Sequence, residues 1–367
     1  MNNSSFDIVI LGLTITSSWG NGHATTYRGL IKELLLRGHQ VLFLEREMPW
    51  YASKRDLLSS QYGCVELYYS FEDLKQRFTK QIADAEYVIV GSYVPEGIKV
   101  GEWVLQTAHG VKAFYDIDTP VTMAKLLRRE CEYISSRFIP QYDLYLSFAG
   151  GPILELLEQT FGASLARPLY CSVDPEYYYP QVQDLKYDLG YMGTYSEDRH
   201  PTVDRMILKS AARWSSGAFV IAGPQFPDTK NWPSNVSYID HISPSGHREF
   251  YCSQKFTLNI TRADMIQSGY APSVRLFEAA ACGTAIISDY WEGLSSLFTF
   301  GDEILLSATT EHTLRYLREI PDSERIRIGE RARKRIFARH TAAHRAQELE
   351  IYLKEAKKKK REYTITG

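Results

Sequence analysis

Short apolar runs alternate with helical patterns along the first half of the chain. The runs FDIVILGL, QVLFLE, VELYYS, EYVIVG, VKAFYDI and DLYLSF are typical of buried strands, and helices fit between most of them. After the first run, Tyr27, Leu30 and Leu34 recur at helical spacing, and Gly38 marks the end of that helix. Near-continuous apolar strands that alternate with helices predict a parallel sheet with helices on both faces.

The alternation breaks at 168–187, where proline, tyrosine and acidic residues indicate a linker, and then it starts again. LGYMG, AFVIAGP, VSYID, FTLNIT, TAIISD and EILL form a second set of strands, and 310–360 has a helical pattern throughout. We therefore predict an α/β fold of two Rossmann-like domains facing each other across a cleft, with a C-terminal helix that crosses back. The predicted boundaries are 1–172, 187–340 and 341–367, the last holding the helix and a basic tail.

Composition narrows the class of protein. A chain of 367 residues with a net charge of −2 has no overall attraction to nucleic acid or anionic membranes. The tail KEAKKKKREY is the exception: it is either a solvated helix end or a contact for a membrane surface or nucleic acid. The five cysteines are scattered without a C-x-x-C pair, which favours a reducing compartment. With neither an export signal nor an apolar stretch of membrane-spanning length, we expect a cytoplasmic protein without stable membrane insertion.

Two segments of the second half combine arginine with strand ends. In SGYAPSVRLFEAAACG, Arg275 and Glu278 share one helix face; they form a surface ion pair or a clamp for a diphosphate and a ribose. In GYMGTYSEDR, Gly193 permits close backbone approach, and Thr194 and Arg199 are candidate phosphate donors. A capped turn is the ordinary alternative there.

The segment NITRADM places Arg262 at another strand end, on the same predicted edge as Arg199 and Arg275. Convergence of these three arginines would supply the countercharge for a diphosphate leaving group without a metal.

The stretch RLFEAAACGTAIISD resembles the nucleotide-sugar segment of two-domain (GT-B) glycosyltransferases. More narrowly, the chain is similar to the CgeB-like bacterial glycosyltransferases through SSWGNGHATTYRGL, FLEREMPWYASKRDL, FYDIDTPVTMAKL, YDLGYMGTYSEDRHP and FTLNITRADMIQSGYAPSVRLFEAAACG. The resemblance implies an N-terminal acceptor domain, a C-terminal donor domain and a ribose contact at Glu278. Retaining members often carry a glutamate eight positions before this one, where this chain has Tyr270.

The stretch SSWGNGHATTYRGL allows two interpretations. Gly20, Gly22 and Thr25 form part of a dinucleotide fingerprint, and Glu45 ends the second strand where such folds place a ribose-binding acid, so an NAD-linked oxidoreductase is one alternative. The loop from residue 13 to 23 is long for that turn. In an acceptor domain the loop would bend under the sugar, and His23 could take a proton from a hydroxyl or hydrogen-bond the donor. One helical turn on, Arg28 reaches the same cleft or is solvated.

The segment FYDIDTP contains a D-x-D pattern, Asp116 and Asp118, which binds a metal in single-domain glycosyltransferases. An architecture of two Rossmann-like domains argues against that use of the pair, so we expect no metal site here. Asp118 is the candidate general base or acceptor clamp; the alternative is an N-cap for the helix at Pro120.

The expected function is metal-independent transfer of a sugar from a nucleoside-diphosphate sugar to an acceptor hydroxyl, without a cofactor. The catalytic candidates are His23 and Asp118. The acceptor is a glycan, a protein or a small molecule, with DNA supported by the lysine tail alone. The alternatives are an NAD-linked oxidoreductase and a non-catalytic nucleotide-sugar or glycan-binding protein.

Overall fold

The computed structural model describes residues 6–19, 22–57, 62–227 and 229–366, and the chain divides into two compact units. The N-terminal unit comprises Met1–Cys171 and Ala342–Gly367, and the C-terminal unit comprises Ser172–Thr341. The chain passes from the first unit to the second inside the predicted linker.

The N-terminal unit is built on one parallel sheet with the strand order β3-β2-β1-β4-β5-β6-β7. Ile8 of the central strand lies opposite Val41 on one side and Tyr87 on the other. The strands are β1 (Ile8–Gly12), β2 (Val41–Arg46), β3 (Cys64–Tyr68), β4 (Tyr87–Gly91), β5 (Val111–Asp116), β6 (Leu144–Ser147) and β7 (Ala166–Pro168).

Helices connect these strands, as parallel pairing requires. They are α1 (His23–Leu36), α2 (Pro49–Ala52), α3 (Phe71–Asp84), α4 (Gly97–Thr107), α5 (Thr119–Arg128), a 3-10 helix (Ser136–Gln141) and α6 (Pro152–Gln159).

The C-terminal unit repeats the design with the strand order β10-β9-β8-β11-β12-β13. All of its neighbouring strands pair in parallel. The strands are β8 (Tyr187–Met192), β9 (Phe219–Ala222), β10 (Val236–Ile239), β11 (Gln254–Asn259), β12 (Ala285–Ser288) and β13 (Leu305–Leu306).

The helices of this unit are mostly short, and a π-helical turn (Asp204–Leu208) joins the first two. They are α7 (His200–Val203), α8 (Lys209–Arg213), a 3-10 helix (Thr229–Asn231), α9 (Pro244–Cys252), α10 (Ala263–Ser268), α11 (Val274–Ala281), α12 (Leu294–Leu297), α13 (Thr310–Glu319) and α14 (Asp322–Arg339). The predicted fold of two parallel α/β sheets is therefore confirmed.

A final helix, α15 (Ala342–Thr366), belongs to the N-terminal unit. It packs on α1 and on β5 and β6, and Ala346, Leu349, Leu353 and Ala356 join the core of that unit. The prediction that the C-terminal helix crosses back to the first domain is confirmed.

The basic tail is part of this docking. The Lys357 ammonium pairs with Glu86 at 2.6 Å, Lys360 contacts Asp143 at 3.1 Å and the carbonyl of Gly110, and Lys359 donates to the carbonyl of Ser164. The interpretation of the tail as a solvated helix end is wrong for these three lysines, because they bind acceptors of the N-terminal unit. Across the described residues, helices with the length and apolarity needed to cross a bilayer are absent.

Each sheet has one point where successive strands begin to add on the opposite side. In the N-terminal unit this point lies between β1 and β4, and in the C-terminal unit between β8 and β11. Open parallel sheets bind ligands outside the carboxyl ends of the strands at such a switch point. The two places to examine are therefore the loops that follow these four strands.

The docking of α15 predicts a contrast between two positions of that helix. Leu349 is fully buried and Ile351 is 54% exposed. Leu349→Ala should lower the free energy of unfolding of the N-terminal unit by about 2–5 kcal/mol, because it leaves a cavity. Ile351→Ala, the control, should change it by less than about 0.5 kcal/mol. Urea denaturation of the full chain measures both, and equal effects would contradict the docking.

Candidate functional site

The loop between β1 and α1 is held by a buried carboxylate, that of Glu45. Its two oxygens accept four hydrogen bonds: from the Thr14 hydroxyl (2.9 Å), the Ile15 amide (2.7 Å), and the Thr16 amide (3.0 Å) and hydroxyl (2.6 Å). Glu45 is 1% exposed. The suggestion that Glu45 binds a cofactor ribose is therefore wrong, because the carboxylate serves the loop itself.

A second contact fixes the same loop from the helix. Arg28 is buried; its Nε donates to the Ile15 carbonyl at 2.9 Å, and its guanidinium meets Asp56 at 2.6 Å. Asp56 also accepts from the amide and hydroxyl of Ser18. Burial alone would raise the pKa of Asp56, but hydrogen bonds from Arg28 and Ser18 hold it below its usual range. Arg28 is thus a loop anchor, and the interpretation as a solvated residue is wrong.

The structure describes part of the glycine-rich segment of the loop. Gly20 lies outside the described residues. Gly22 occupies the N-cap position of α1, and Thr25 donates its hydroxyl to the Gly22 carbonyl at 2.9 Å. This bond closes the first turn, so the Thr25 hydroxyl serves the helix end.

His23 is the first residue of α1, and its imidazole stacks on Tyr93 with ring centroids 5.8 Å apart. Burial lowers the pKa of His23 to about 4. A position at a helix N-terminus acts in the same direction, because the helix dipole disfavours a cation there. His23 is therefore neutral at pH 7, which suits a hydrogen-bonding role better than proton abstraction.

Asp118 contacts the hydroxyl of the same tyrosine. It occupies the N-cap position of α5, but its side chain makes no capping hydrogen bond. Instead it accepts the Tyr93 hydroxyl at 2.9 Å. The pKa of Tyr93 is raised, first by burial and then by the charge of Asp118, so the hydroxyl stays protonated. The structure thus places both catalytic candidates against Tyr93, a residue that the sequence analysis missed.

Asp116 is the last residue of β5 and is fully buried. Its carboxylate accepts the Tyr145 hydroxyl at 2.6 Å and the Thr122 hydroxyl at 2.7 Å, and burial raises its pKa to about 6. The two carboxylates therefore have different side-chain hydrogen-bond partners. Over the part of the chain that the structure describes, no group of three or more His, Cys, Asp or Glu side chains could hold a metal ion.

In the C-terminal unit, Arg275 reaches from α11 to the end of β8. Its Nε donates to the Met192 carbonyl, its Nη1 donates to Asn259 at 3.0 Å, and its guanidinium lies 5.0 Å from the Tyr191 ring centroid. A Cβ built on Gly193 would lie 2.7 Å from Nη2 of Arg275. Gly193 thus permits the close approach predicted for it, and here the approaching group is a guanidinium.

Arg199 and Arg262 lie in the same electrostatic environment. Arg199 donates from Nε to the Ser196 hydroxyl at 2.8 Å and from Nη2 to the Thr194 carbonyl. Burial lowers the pKa of Arg199, and although Tyr191 opposes this effect, the charges of Arg275 and Arg262 add to it. We call these three residues the arginine cluster. Arg199 follows β8, Arg262 follows β11, and Arg275 reaches the end of β8. All three therefore lie at the switch point of this sheet.

Asn259, the last residue of β11, orients the cluster. Its side-chain oxygen, Oδ1, accepts hydrogen bonds from Arg275 and, at 2.8 Å, from the Ser273 hydroxyl. Its side-chain nitrogen, Nδ2, donates to the hydroxyls of Ser288 (2.9 Å) and Thr261 (3.3 Å). Both ends of the side chain are therefore fixed. The only sequence signal was a polar residue closing an apolar strand.

Glu278 lies on the same short helix as Arg275 but has different partners. It is 3% exposed and accepts the hydroxyls of Tyr178 (2.8 Å) and Tyr251 (3.0 Å), with the His247 ring nitrogen 3.7 Å away. Burial alone would raise the pKa of Glu278; His247 and the two hydroxyls outweigh it and keep the pKa lowered. The prediction of a surface ion pair between Arg275 and Glu278 is therefore wrong.

Tyr270 replaces the glutamate of retaining enzymes in an unusual backbone conformation. Its φ is 49°, in the left-handed region, and its amide donates to the Glu292 carbonyl at 2.6 Å. This bond ties the loop before α11 to the segment after β12.

The C-terminal half matches one family model. Residues 199–351 match the family described as glycosyl transferase-like. No curated protein sequence matches the chain.

Solved structures of the same architecture cover nearly the whole chain. Sucrose-phosphate synthase from Thermosynechococcus elongatus is 13% identical with a TM-score of 0.69, over 95% of this chain and 98% of that one. HepE from Anabaena in complex with UDP-glucose is 12% identical with a TM-score of 0.69, over 95% and 99%. An alpha-glucosyltransferase in complex with UDP-glucose and DNA containing an abasic site is 14% identical with a TM-score of 0.70, over 96% and 100%.

At these identities the structures show the fold, which is that of the two-domain (GT-B) glycosyltransferases. The family match adds that the region holding the arginine cluster is glycosyltransferase-like. The predicted class of enzyme, a glycosyltransferase, is thereby confirmed, and the NAD-linked oxidoreductase is not favoured.

The role of Glu45 yields a stability prediction. Glu45→Ala leaves two amides and two hydroxyls buried without their acceptor, so the free energy of unfolding of the N-terminal unit should fall by about 3 kcal/mol. Glu130→Ala removes only an exposed ion pair with Arg128 and should cost less than about 1 kcal/mol. Urea denaturation distinguishes them, and a Glu45→Ala protein as stable as the control would refute the clamp.

Proposed function

We propose that the chain transfers a sugar from a nucleoside-diphosphate sugar to an acceptor hydroxyl, with the donor diphosphate on the arginine cluster. The observation that carries this proposal is the convergence of Arg199, Arg262 and Arg275 at the switch point of the C-terminal sheet. Guanidinium groups bind phosphate oxygens in a bidentate way and carry a permanent charge. An anion of two phosphates relieves the mutual repulsion of three buried or half-buried cations.

The same cluster suits the reacting state. As the bond between the anomeric carbon and the diphosphate breaks, negative charge develops on the leaving oxygen. Preorganised cations lower the free energy of that state more than that of the intact donor. We therefore propose that the reaction needs neither a metal ion nor a cofactor.

Glu278 is the proposed contact for the donor ribose. A carboxylate of lowered pKa accepts hydroxyl donors, and Glu278 already accepts two, from Tyr178 and Tyr251. A ribose diol has the same chemistry. Because Glu278 is buried, one of the tyrosine hydroxyls must give way for the ribose to bind.

In the N-terminal unit, Asp118 is the proposed base for the acceptor hydroxyl and His23 a neutral hydrogen-bonding partner. The lowered pKa of His23 supports this order of roles, because a buried imidazole of low pKa is a weak base. Gly22 and Thr25 close the helix turn that presents His23, and Arg28 anchors the preceding loop.

The finer family and the partners are proposals as well. Membership of the CgeB-like glycosyltransferases rests on the quoted motifs, and a cytoplasmic location rests on the scattered free cysteines. UDP-glucose is the first donor to try, because two of the structural relatives were solved with it. DNA is a weak acceptor candidate, because its one support was the lysine tail and three of those lysines are engaged.

Nucleotide binding tests the arginine cluster. The panel is UDP, GDP, dTDP, ADP, CMP and NAD, measured by thermal shift on the full chain. One nucleoside diphosphate at 100 times its dissociation constant should stabilise the protein by about 2.7 kcal/mol. Arg262→Ala should weaken that binding about 10- to 100-fold, because it removes a charge-assisted contact of about 1.5–3 kcal/mol.

Arg213→Ala is the matched control, since Arg213 forms an exposed ion pair with Glu311 in the same unit. It should bind nucleotide as the natural chain does. A response to NAD alone, or equal binding by the Arg262→Ala and Arg213→Ala variants, would overturn the assignment. Binding without any turnover of donor would favour a non-catalytic nucleotide-sugar-binding protein.

A further inference from the structure

We propose that Tyr93 is the positioning residue that holds Asp118 and His23 in their working arrangement. This inference rests on the proposed function, because it takes Asp118 as the base. It adds a residue that lies outside every motif quoted from the sequence, and it assigns separate tasks to the hydroxyl and the ring of one side chain.

The contacts of Tyr93 are of two kinds. Its hydroxyl donates to Oδ2 of Asp118 at 2.9 Å, and its ring stacks on His23 at 28° between the ring planes. The hydrogen bond fixes the direction of one carboxylate oxygen of Asp118. The ring contact fixes the plane of the imidazole.

The backbone around Tyr93 is held in a conformation that a tyrosine rarely adopts. Its φ is 64°, in the left-handed region. Just before it, the Ser92 amide donates to the Tyr115 carbonyl at 3.0 Å and the Ser92 hydroxyl accepts from the Ile117 amide at 3.0 Å. Strained residues persist only where the surroundings over-determine them, as the two bonds of Ser92 to β5 and its continuation do here.

The Tyr93 ring has further neighbours besides His23. Tyr133 lies 4.5 Å away between ring centroids, and the Lys125 ammonium lies 5.6 Å from each of these two rings. Lys125 is paired with Glu132 at 2.8 Å. The Tyr133 hydroxyl meets the Thr122 hydroxyl at 2.7 Å. Together these contacts restrict the orientation of the Tyr93 ring.

The chemistry follows from the hydrogen bond. The Tyr93 hydroxyl donates to Oδ2 of Asp118 and so holds the carboxylate in place. In the transfer step the acceptor hydroxyl gives its proton to Asp118 while its oxygen bonds to the anomeric carbon. The bond from that carbon to the diphosphate breaks, and the diphosphate leaves with the electron pair. Tyr93 itself contacts no reacting atom.

Tyr93→Phe tests this arrangement, because it keeps the ring on His23 and removes only the hydroxyl. The probes are UDP-glucose, GDP-glucose, dTDP-glucose and ADP-glucose, and the measurement is release of nucleoside diphosphate by the full chain. With the donor that the natural chain uses, kcat should fall about 10- to 100-fold, and the KM for donor should stay within about twofold. Tyr316→Phe, which removes a hydroxyl bond to the Leu306 carbonyl, should behave as the natural chain.

A double-mutant cycle separates positioning from a general structural role. In the Asp118→Asn background, Tyr93→Phe should cause no further loss of kcat, because its effect acts through the carboxylate. Full activity of Tyr93→Phe, or an independent loss in that background, would overturn the proposal and leave the proposed function intact. Release from none of the four donors by the natural chain would contradict the proposed function, and this inference with it.

Discussion

Three arginines lie at one edge of the C-terminal sheet, and their like charges act against one another. Burial is the largest cause of the lowered pKa of Arg199, and the charges of Arg275 and Arg262 add to it. The protein meets this cost with fixed acceptors: the Met192 and Thr194 carbonyls and the side chain of Asn259. An anion with several oxygens would relieve the repulsion.

In the N-terminal unit, buried hydrogen bonds hold the polar loop between β1 and α1 in one conformation. Two carboxylates do this: Glu45 accepts hydrogen bonds from loop amides and hydroxyls, and Asp56 binds Arg28 and Ser18. The loop then leads into α1 at His23, whose ring rests on Tyr93. Rigid support of this kind lets the unit present a neutral imidazole and a carboxylate in defined positions.

Much of this could be predicted from the sequence, because strand ends carry local signals. Gly193, Arg199 and Arg262 each follow an apolar run, so their common edge was predictable from the parallel fold. The three-residue strand β7, which contains a proline, gave no such signal.

The rest depends on contacts between residues distant in the chain. Tyr93 meets Asp118 only because the loop after β4 takes a left-handed turn beside β5. Glu45 looked like a ribose ligand because its position at the end of β2 matches that pattern, and only the folded loop shows which groups donate hydrogen bonds to it. The lysines of the tail looked solvated because their acceptors, Glu86, Gly110 and Asp143, lie more than two hundred residues earlier.

The central claim is that the arginine cluster takes the place of a metal ion in neutralising the leaving diphosphate. The most direct measurement is release of nucleoside diphosphate from the donor sugar by the full chain, with and without an excess of EDTA. The account predicts the same rate in both cases, because the countercharge belongs to the protein. Activity that disappears with EDTA and returns with added Mg²⁺ would contradict it.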